Sequence, residues 1–286
     1  MLANLIAIAG RHSNDSGLPT AVPRLRIWSA NAPTEPIPAL FEAKFYLLLQ
    51  GIKYMTFAGK TFVFRAGTCS TASVGLPFVS QVIEASPEVP YLGVELRLDA
   101  GVVAGLMMDT PSDVEQPSEA ISVGQADERI LEPLGRLLSL LDAPADIAVL
   151  APQFERELCY RLLQGPMGAK LRLMGGSSAR FGQIRVAAEW ICENADQRMH
   201  VAQLAESVGM SVTSFHRHFK AVTGHAPLAY QRYIRLLDAR RRLASGSSNV
   251  TTVAFATGYA SASQFSREYK KTFGVPPIID AGLLRQ

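Results

Sequence analysis

Two short rows of side chains near the C-terminal end of this 286-residue chain have the types and spacing to read base edges. Thr213, Ser214, His216 and Arg217 form one row; Ser263, Gln264, Ser266 and Arg267 form the other. Spacings of three and four residues put side chains on one helical face. An arginine guanidinium can pair with guanine O6 and N7 in a bidentate fork. A glutamine amide can do the same with adenine N6 and N7, and hydroxyls contact either base. Ser211, Lys220 and Arg232 flank the first row, and Ser261, Lys270 and Lys271 flank the second. These are candidates for contacts to phosphate oxygens.

The elements that must hold these rows look like one motif written twice. Ala205–Phe219 and Ala254–Tyr269 each read as a short helix, a glycine turn and a second helix with a polar outer face, a helix-turn-helix pattern. Gly209 and Gly258 stand where the turn needs positive φ. Ser211 is placed to cap the second helix of the first copy; Ser261 with Gln264 forms a possible capping box in the second. Phe215, Phe219 and Val222 face inward in one, and Phe265, Tyr269 and Phe273 in the other. Pro227–Leu243 reads as a helix between them, with Tyr230, Ile234 and Leu237 on its buried side and Arg232, Arg235 and Arg240–Arg242 crowding the rest. At about 1.5 Å per residue it spans roughly 25 Å, a strut able to hold two reading heads about one duplex turn apart. Ile184, Ala187, Ala188, Ile191 and Cys192 predict an amphipathic support helix ahead of the first copy.

Charge separates along the chain. Residues 1–182 hold 15 Lys+Arg and 18 Asp+Glu, a balance of −3, while residues 183–286 hold 13 and 7, a balance of +6. The second half is the one suited to a polyanion. Cys69, Cys159 and Cys192 are far apart and form no metal-binding spacing, which points to reduced thiols in a cytosol. The apolar opening Leu2–Gly10 is too short to span a bilayer, so a cytoplasmic protein with no membrane partner is expected.

The first half has a different texture. Phe45–Leu49, Tyr54–Phe57, Thr61–Phe64, Val79–Ala85 and Tyr91–Leu98 read as strands with glycines between several of them, the pattern of a small antiparallel sandwich or barrel. Residues 11–39 look irregular. Gly101–Met108 reads as one helix, and Asp127–Leu141 and Pro152–Leu163 read as two apolar helices that either finish the core of the strands or form a dimer seam. Gly175–Ser178 marks a linker. The organisation expected is therefore an N-terminal arm (1–20), a strand-rich domain (21–168), a linker (169–182) and a helical domain (183–281), with helix-turn-helix copies at about 201–222 and 250–273. The fold class is α+β.

Residues 183–277 resemble the AraC/XylS family of bacterial transcription regulators, most strongly along Met210–Gly224 and Gly258–Pro277, where Gly274-Val-Pro-Pro277 is typical. The stretch Ile278–Gly282 departs from the family's ending, so the last helix should be short or irregular. Leu48–Lys53, Phe57–Lys60, Arg65–Gly67 and Val82–Gly93 resemble the AraC-type N-terminal domain, a cupin-like β-barrel with flanking helices. The resemblance implies a sequence-specific regulator of double-stranded DNA whose barrel senses a small molecule or forms a homodimer, and which works with RNA polymerase. It also assigns Thr213, His216, Arg217, Ser263, Gln264 and Arg267 as the base-facing positions.

An effector in the barrel would meet Phe45, Tyr54, Phe57, Phe64, Phe78 and Tyr91, a lining suited to an apolar or aromatic molecule. Arg65, Glu84 and Glu95 are the charges available to orient it. No histidine lies between Phe41 and Leu98, which argues against a metal cupin. Cys69 has no evident activating base and reads as a small buried residue. No enzyme activity and no cofactor are expected. The alternatives are a low-specificity architectural DNA-binding protein and a cupin enzyme fused to a DNA-binding domain.

Overall fold

The computed structural model describes residues 1–286 apart from 14–16, 18, 42–43, 59, 73, 110–120, 173–178, 246–248 and 284–286. Helix α1 (Leu2–His12) precedes strands β1 (Leu25–Ala30), β2 (Ile37–Phe41), β3 (Lys44–Gln50), β4 (Ile52–Phe57), β5 (Lys60–Phe64), β6 (Thr68–Ala72), β7 (Leu76–Glu84) and β8 (Tyr91–Arg97). Then come α2 (Ala100–Asp109), β9 (Ile121–Gln125), α3 (Glu128–Ser139), α4 (Ile147–Gln164) and the single turn α5 (Gly168–Leu171). The described remainder is helical: α6 (Ala179–Glu193), α7 (Val201–Ser207), α8 (Val212–Thr223), α9 (Pro227–Ala244), α10 (Val250–Ala256), α11 (Ala262–Phe273) and α12 (Pro277–Leu283).

The strands build two antiparallel sheets, β1-β8-β3-β6-β9 and β2-β7-β4-β5. Among the described residues no strand of one sheet pairs with the other, so the expected barrel is an open sandwich. Strand β3 lies at its centre and is buried on both faces. Tyr46 and Leu48 point between the sheets, whereas Phe45, Leu47 and Leu49 point into a second core with α1, α3 and α4. The two-residue period of a strand makes that division.

Several expectations change here. Helix α1 and strands β1 and β2 occupy stretches read as an arm and an irregular lead-in. The linker Gly175–Ser178 lies outside the described residues, and α6 starts at Ala179, ahead of the boundary placed at 183. The stripe Ile130, Leu131, Leu134, Leu137 and Leu138 of α3 is buried within this one chain; it finishes the outer core, and the dimer-seam alternative for it falls. The last described helix, α12, runs from Pro277 to Leu283, where the described residues end.

The two halves share one core. Phe57, Phe64, Leu76 and Phe78 of the sandwich belong to the same apolar cluster as Ile184, Ile191, Phe215, Phe219 and Tyr230 of the helical half. Helices α10 and α11 pack with the far end of α9 in a separate cluster around Leu243, Val253, Phe265 and Tyr269.

Candidate nucleic-acid interface

Each reading head is assembled by short-range sequence signals. In the first, Gly209 takes φ +69° between α7 and α8. The Ser211 hydroxyl accepts from the Ser214 amide at 3.4 Å and caps α8. Phe215 and Phe219 are fully buried with ring centroids 5.3 Å apart, and Tyr230 meets the Phe219 ring edge-on at 5.3 Å. Burying that side forces the opposite one outward, so Thr213, His216, Arg217 and Lys220 are all exposed.

The second head repeats the arrangement. Gly258 takes φ +82°, and the Ser261 hydroxyl accepts from the Gln264 amide at 3.4 Å. Phe265 and Tyr269 are fully buried, while Ser263, Gln264, Arg267, Lys270 and Lys271 are exposed. The capping box is formed on its serine side. The Gln264 side chain points the other way, donating from Nε2 to Glu268 Oε1 at 3.1 Å.

Glu268 is a residue the sequence reading passed over. Its carboxylate also accepts from the Tyr259 hydroxyl at 3.0 Å and lies 3.4 Å from Arg232 Nε. Two of the expected DNA-contacting side chains, Gln264 and Arg232, are thus held by one acid. The spacing of Gln264 and Glu268 was the readable signal for this; Arg232 meets them only through the fold.

The basic crowd on α9 is not a free cationic face. Arg240 donates to both oxygens of the buried Asp280, at 2.9 and 3.3 Å, and lies 5.0 Å from the centroid of the Phe273 ring. Arg241 and Arg242 both bind Asp238, at 2.6 and 2.7 Å. Arg235 faces inward and donates to backbone carbonyls of both heads. The strut's arginines therefore hold the helical half together first, and the exposed cations of the two reading helices are Arg217 and Lys220 on α8 and Arg267, Lys270 and Lys271 on α11.

The first head also touches the sandwich. The C-terminal end of α8 at Gly224 abuts Phe57 and Ala58, the turn after β4, where Ala58 takes φ +48°. Between them lies a crevice of about 260 Å³, lined by Phe57, Phe62, Ile121, Ala221, Lys60 and Lys220. Helix α9 is pinned beside it: Tyr230 Oη donates to Gly75 O at 3.0 Å and Tyr233 Oη to Phe78 O at 2.9 Å.

The expected effector lining is divided by the sheet. Phe57, Phe64, Phe78 and Tyr91 point between the sheets, Phe45 sits in the outer core, and Tyr54 is largely exposed. Phe45 occupies the odd-numbered face of β3, and one residue of offset sends it away from the interior. Polar groups enter the interior instead. Tyr46 Oη and Tyr91 Oη lie 2.5 Å apart, and Lys53 Nζ stands 4.6 Å from the Tyr46 ring centroid. Burial, with Lys44 nearby, lowers the Lys53 amine to about 7. Glu95 is engaged by Lys44 at 2.7 Å and by Trp28 Nε1 at 3.1 Å, whereas Arg65 and Glu84 are exposed. Cys69 is fully buried, with its thiol pushed up to about 12 by burial, which suits a packing role. Among the described residues no helix is long and apolar enough to cross a membrane.

Residues 21–170 match the family model for the AraC-type transcriptional regulator N-terminus, and residues 204–278 match a helix-turn-helix domain. Over 150 residues, 52% of each chain, the sequence is 27% identical to the HTH-type transcriptional activator RhaS of Pectobacterium atrosepticum. It is 33% identical over 147 residues to a probable thc operon regulatory protein of Rhodococcus erythropolis, covering 49% of this chain and 44% of that one. The chain spans about half the length of these curated relatives. Fold similarity extends further. Unsaturated fatty acid-bound ToxT from Vibrio cholerae aligns over 90% of this chain and 94% of its own with TM-score 0.59 at 12% identity. ToxT bound to (E)-4-(8-methylnaphthalen-1-yl)but-3-enoic acid aligns over 91% and 98% with TM-score 0.61 at 10% identity. With the open sandwich, the doubled helix-turn-helix and both family models in agreement, this chain belongs to the AraC-type transcriptional regulators.

Proposed function

We propose that this protein is a sequence-specific regulator of transcription that reads two successive major-groove segments of double-stranded DNA with α8 and α11. Thr213, His216 and Arg217 face bases from the first head; Ser263, Gln264 and Arg267 do so from the second. Lys220, Lys270, Lys271, Ser211, Ser261 and Arg232 face phosphates. The observation that carries the reading is the exposure of both rows on helices whose opposite faces are fixed by fully buried aromatic pairs, Phe215 with Phe219 and Phe265 with Tyr269. Gel shift on a duplex selected from a random pool tests it. Arg217→Ala and Arg267→Ala should each lose about 1–3 kcal/mol of discrimination at a different position of the site. Unchanged discrimination in both variants would remove these side chains from the reading.

The effector reading follows the crevice between sandwich and α8. Its aromatic wall and its two lysines suit a small apolar acid, and both ToxT ligands named above are acids with apolar bodies. Such a molecule would touch Phe57 and Phe62 of the sensor and Ala221 of the reader together. It would then shift DNA affinity by its differential contact with the two arrangements of the halves. Pairing with a second copy and recruitment of RNA polymerase in the cytoplasm complete the proposal.

A further inference from the structure

The two heads have separate cores, and a helix fixes only their distance. Each head joins α9 through a turn, so the angle between α8 and α11 needs another constraint. The structure supplies it at the seam where the loop after α6 (Asn194–Gln197) meets the turn between α10 and α11. Arg235, at the middle of α9, donates from Nε to Ala195 O at 2.5 Å and from Nη2 to Gln197 O at 2.8 Å and Asp196 O at 3.4 Å. Its Nη1 donates to Gly258 O at 2.8 Å. One turn earlier, the buried Gln231 amide donates to Ala195 O at 3.0 Å and Gln197 O at 2.8 Å. The fit is close: a Cβ on Gly258 would stand 2.2 Å from Asp196 O.

A planar guanidinium presents its N–H donors in a rigid fork. Here one edge holds the support loop of the first head and the other holds the pivot glycine of the second. Gly258 is the residue about which α11 would turn, so a bond to its carbonyl fixes α11 in angle as well as position. A lysine ammonium, a point donor on a flexible stem, cannot span both edges at once.

We infer that Arg235 is a specificity-determining residue that never touches DNA: it sets the angle between the two reading helices, and with it the spacing between sub-sites that the protein accepts. The inference rests on the two-head reading proposed above. One inserted base pair moves the second sub-site by about 3.4 Å and rotates it by about 34°, so a rigid pair of heads should reject it and a hinged pair should tolerate it.

The test uses the full chain and a duplex it selects from a random pool, with versions lengthened or shortened by one base pair between the sub-sites. The unaltered protein should lose about 100-fold or more in affinity on the changed spacings, the equivalent of losing several base contacts. Arg235→Lys should bind the native spacing within about 10-fold of the unaltered protein, yet lose less than about 10-fold on the changed ones. Gln231→Leu, which removes bonds to the same loop and keeps the packing, should relax the penalty in the same direction by a smaller amount. If Arg235→Lys melts below the assay temperature, Gln231→Leu decides the matter alone. A spacing penalty unchanged in the variants, or affinity lost in equal proportion on every duplex, overturns the role of Arg235. A selected site of one short element, with no spacing penalty in the unaltered protein, overturns the two-head reading itself.

Discussion

Tyr230 of α9 donates its phenolic proton to the carbonyl of Gly75 at 3.0 Å across 155 residues of sequence. The bond joins the strut between the reading heads to the sandwich at the start of β7. The Tyr230 ring is fully buried against Phe219, and burial raises its phenol well above the ordinary value. The sandwich and the first helix-turn-helix thus share a wall.

Removing that phenol separates its hydrogen bond from its packing. Tyr230→Phe should destabilise the protein by about 1 kcal/mol, and Tyr230→Ala by about 3–5 kcal/mol. Urea unfolding followed by far-UV and by tryptophan signals should show Trp28 of the sandwich and Trp190 of α6 melting together. Two well-separated transitions would contradict the shared core.

On the two-head reading proposed above, Glu268 would compete with DNA for Gln264 and Arg232. Glu268→Gln removes a negative charge from α11 and releases Arg232. Non-specific affinity should rise a few-fold, and the slope of log affinity against log salt should steepen by about one. Anisotropy titrations over a salt series measure both, and weaker binding by this variant would show that the acid serves DNA binding directly.

Two glycines with similar backbone angles should respond differently to alanine. Gly274, at φ +81°, has open space where a Cβ would go, so Gly274→Ala should cost about 1 kcal/mol from conformation alone. Gly258, at φ +82°, would drive its Cβ into Asp196 O, adding a clash to the same strain and costing at least about 1–3 kcal/mol more. Equal melting shifts in the two variants would mean that the seam yields freely.

Lys53 gives a pH signature. Its folded value, about 7, lies below the ordinary lysine value of 10.5, so between these two pH values the unfolded chain binds the extra proton. Stability from this group is fully present above pH 10.5 and is lost as pH falls toward 7. Compared with Lys53→Met, the unaltered protein should gain about 3–4 kcal/mol in unfolding free energy between pH 7 and 10. Parallel stability curves for the two proteins would mean that the amine is solvated in the native state.

The heads were legible because their determinants are local. Gly209, Ser211 and Phe215 lie within seven residues, and turn, cap and buried face follow from that stretch alone. The sheet was legible only where apolar residues cluster. Strand β6, Thr68-Cys-Ser-Thr-Ala72, is wholly buried yet mostly polar, so its sequence carries no hydrophobic signal. Its place is set by β3 and β9 on either side. Charge misled for a similar reason. The pairing of Arg241 and Arg242 with Asp238 could be read from helical spacing, but Arg240 finds Asp280 and Arg235 finds Gly258 through contacts that no local pattern announces. Lys53 was missed because a lysine on a strand reads as solvated until Tyr46 and Tyr91 are placed around it.

The shared core makes the two halves poor candidates for transplantation. A fragment beginning at Ala179 would bare the faces of Ile184, Phe219 and Tyr230 that now rest among sandwich residues such as Phe57 and Leu76. A chimera would have to carry the turn at Ala58, the strand start at Gly75 and both tyrosines of α9 as one graft. In this protein the boundary between the sandwich and the helical half is a surface within the core, and no single cut along the chain follows it.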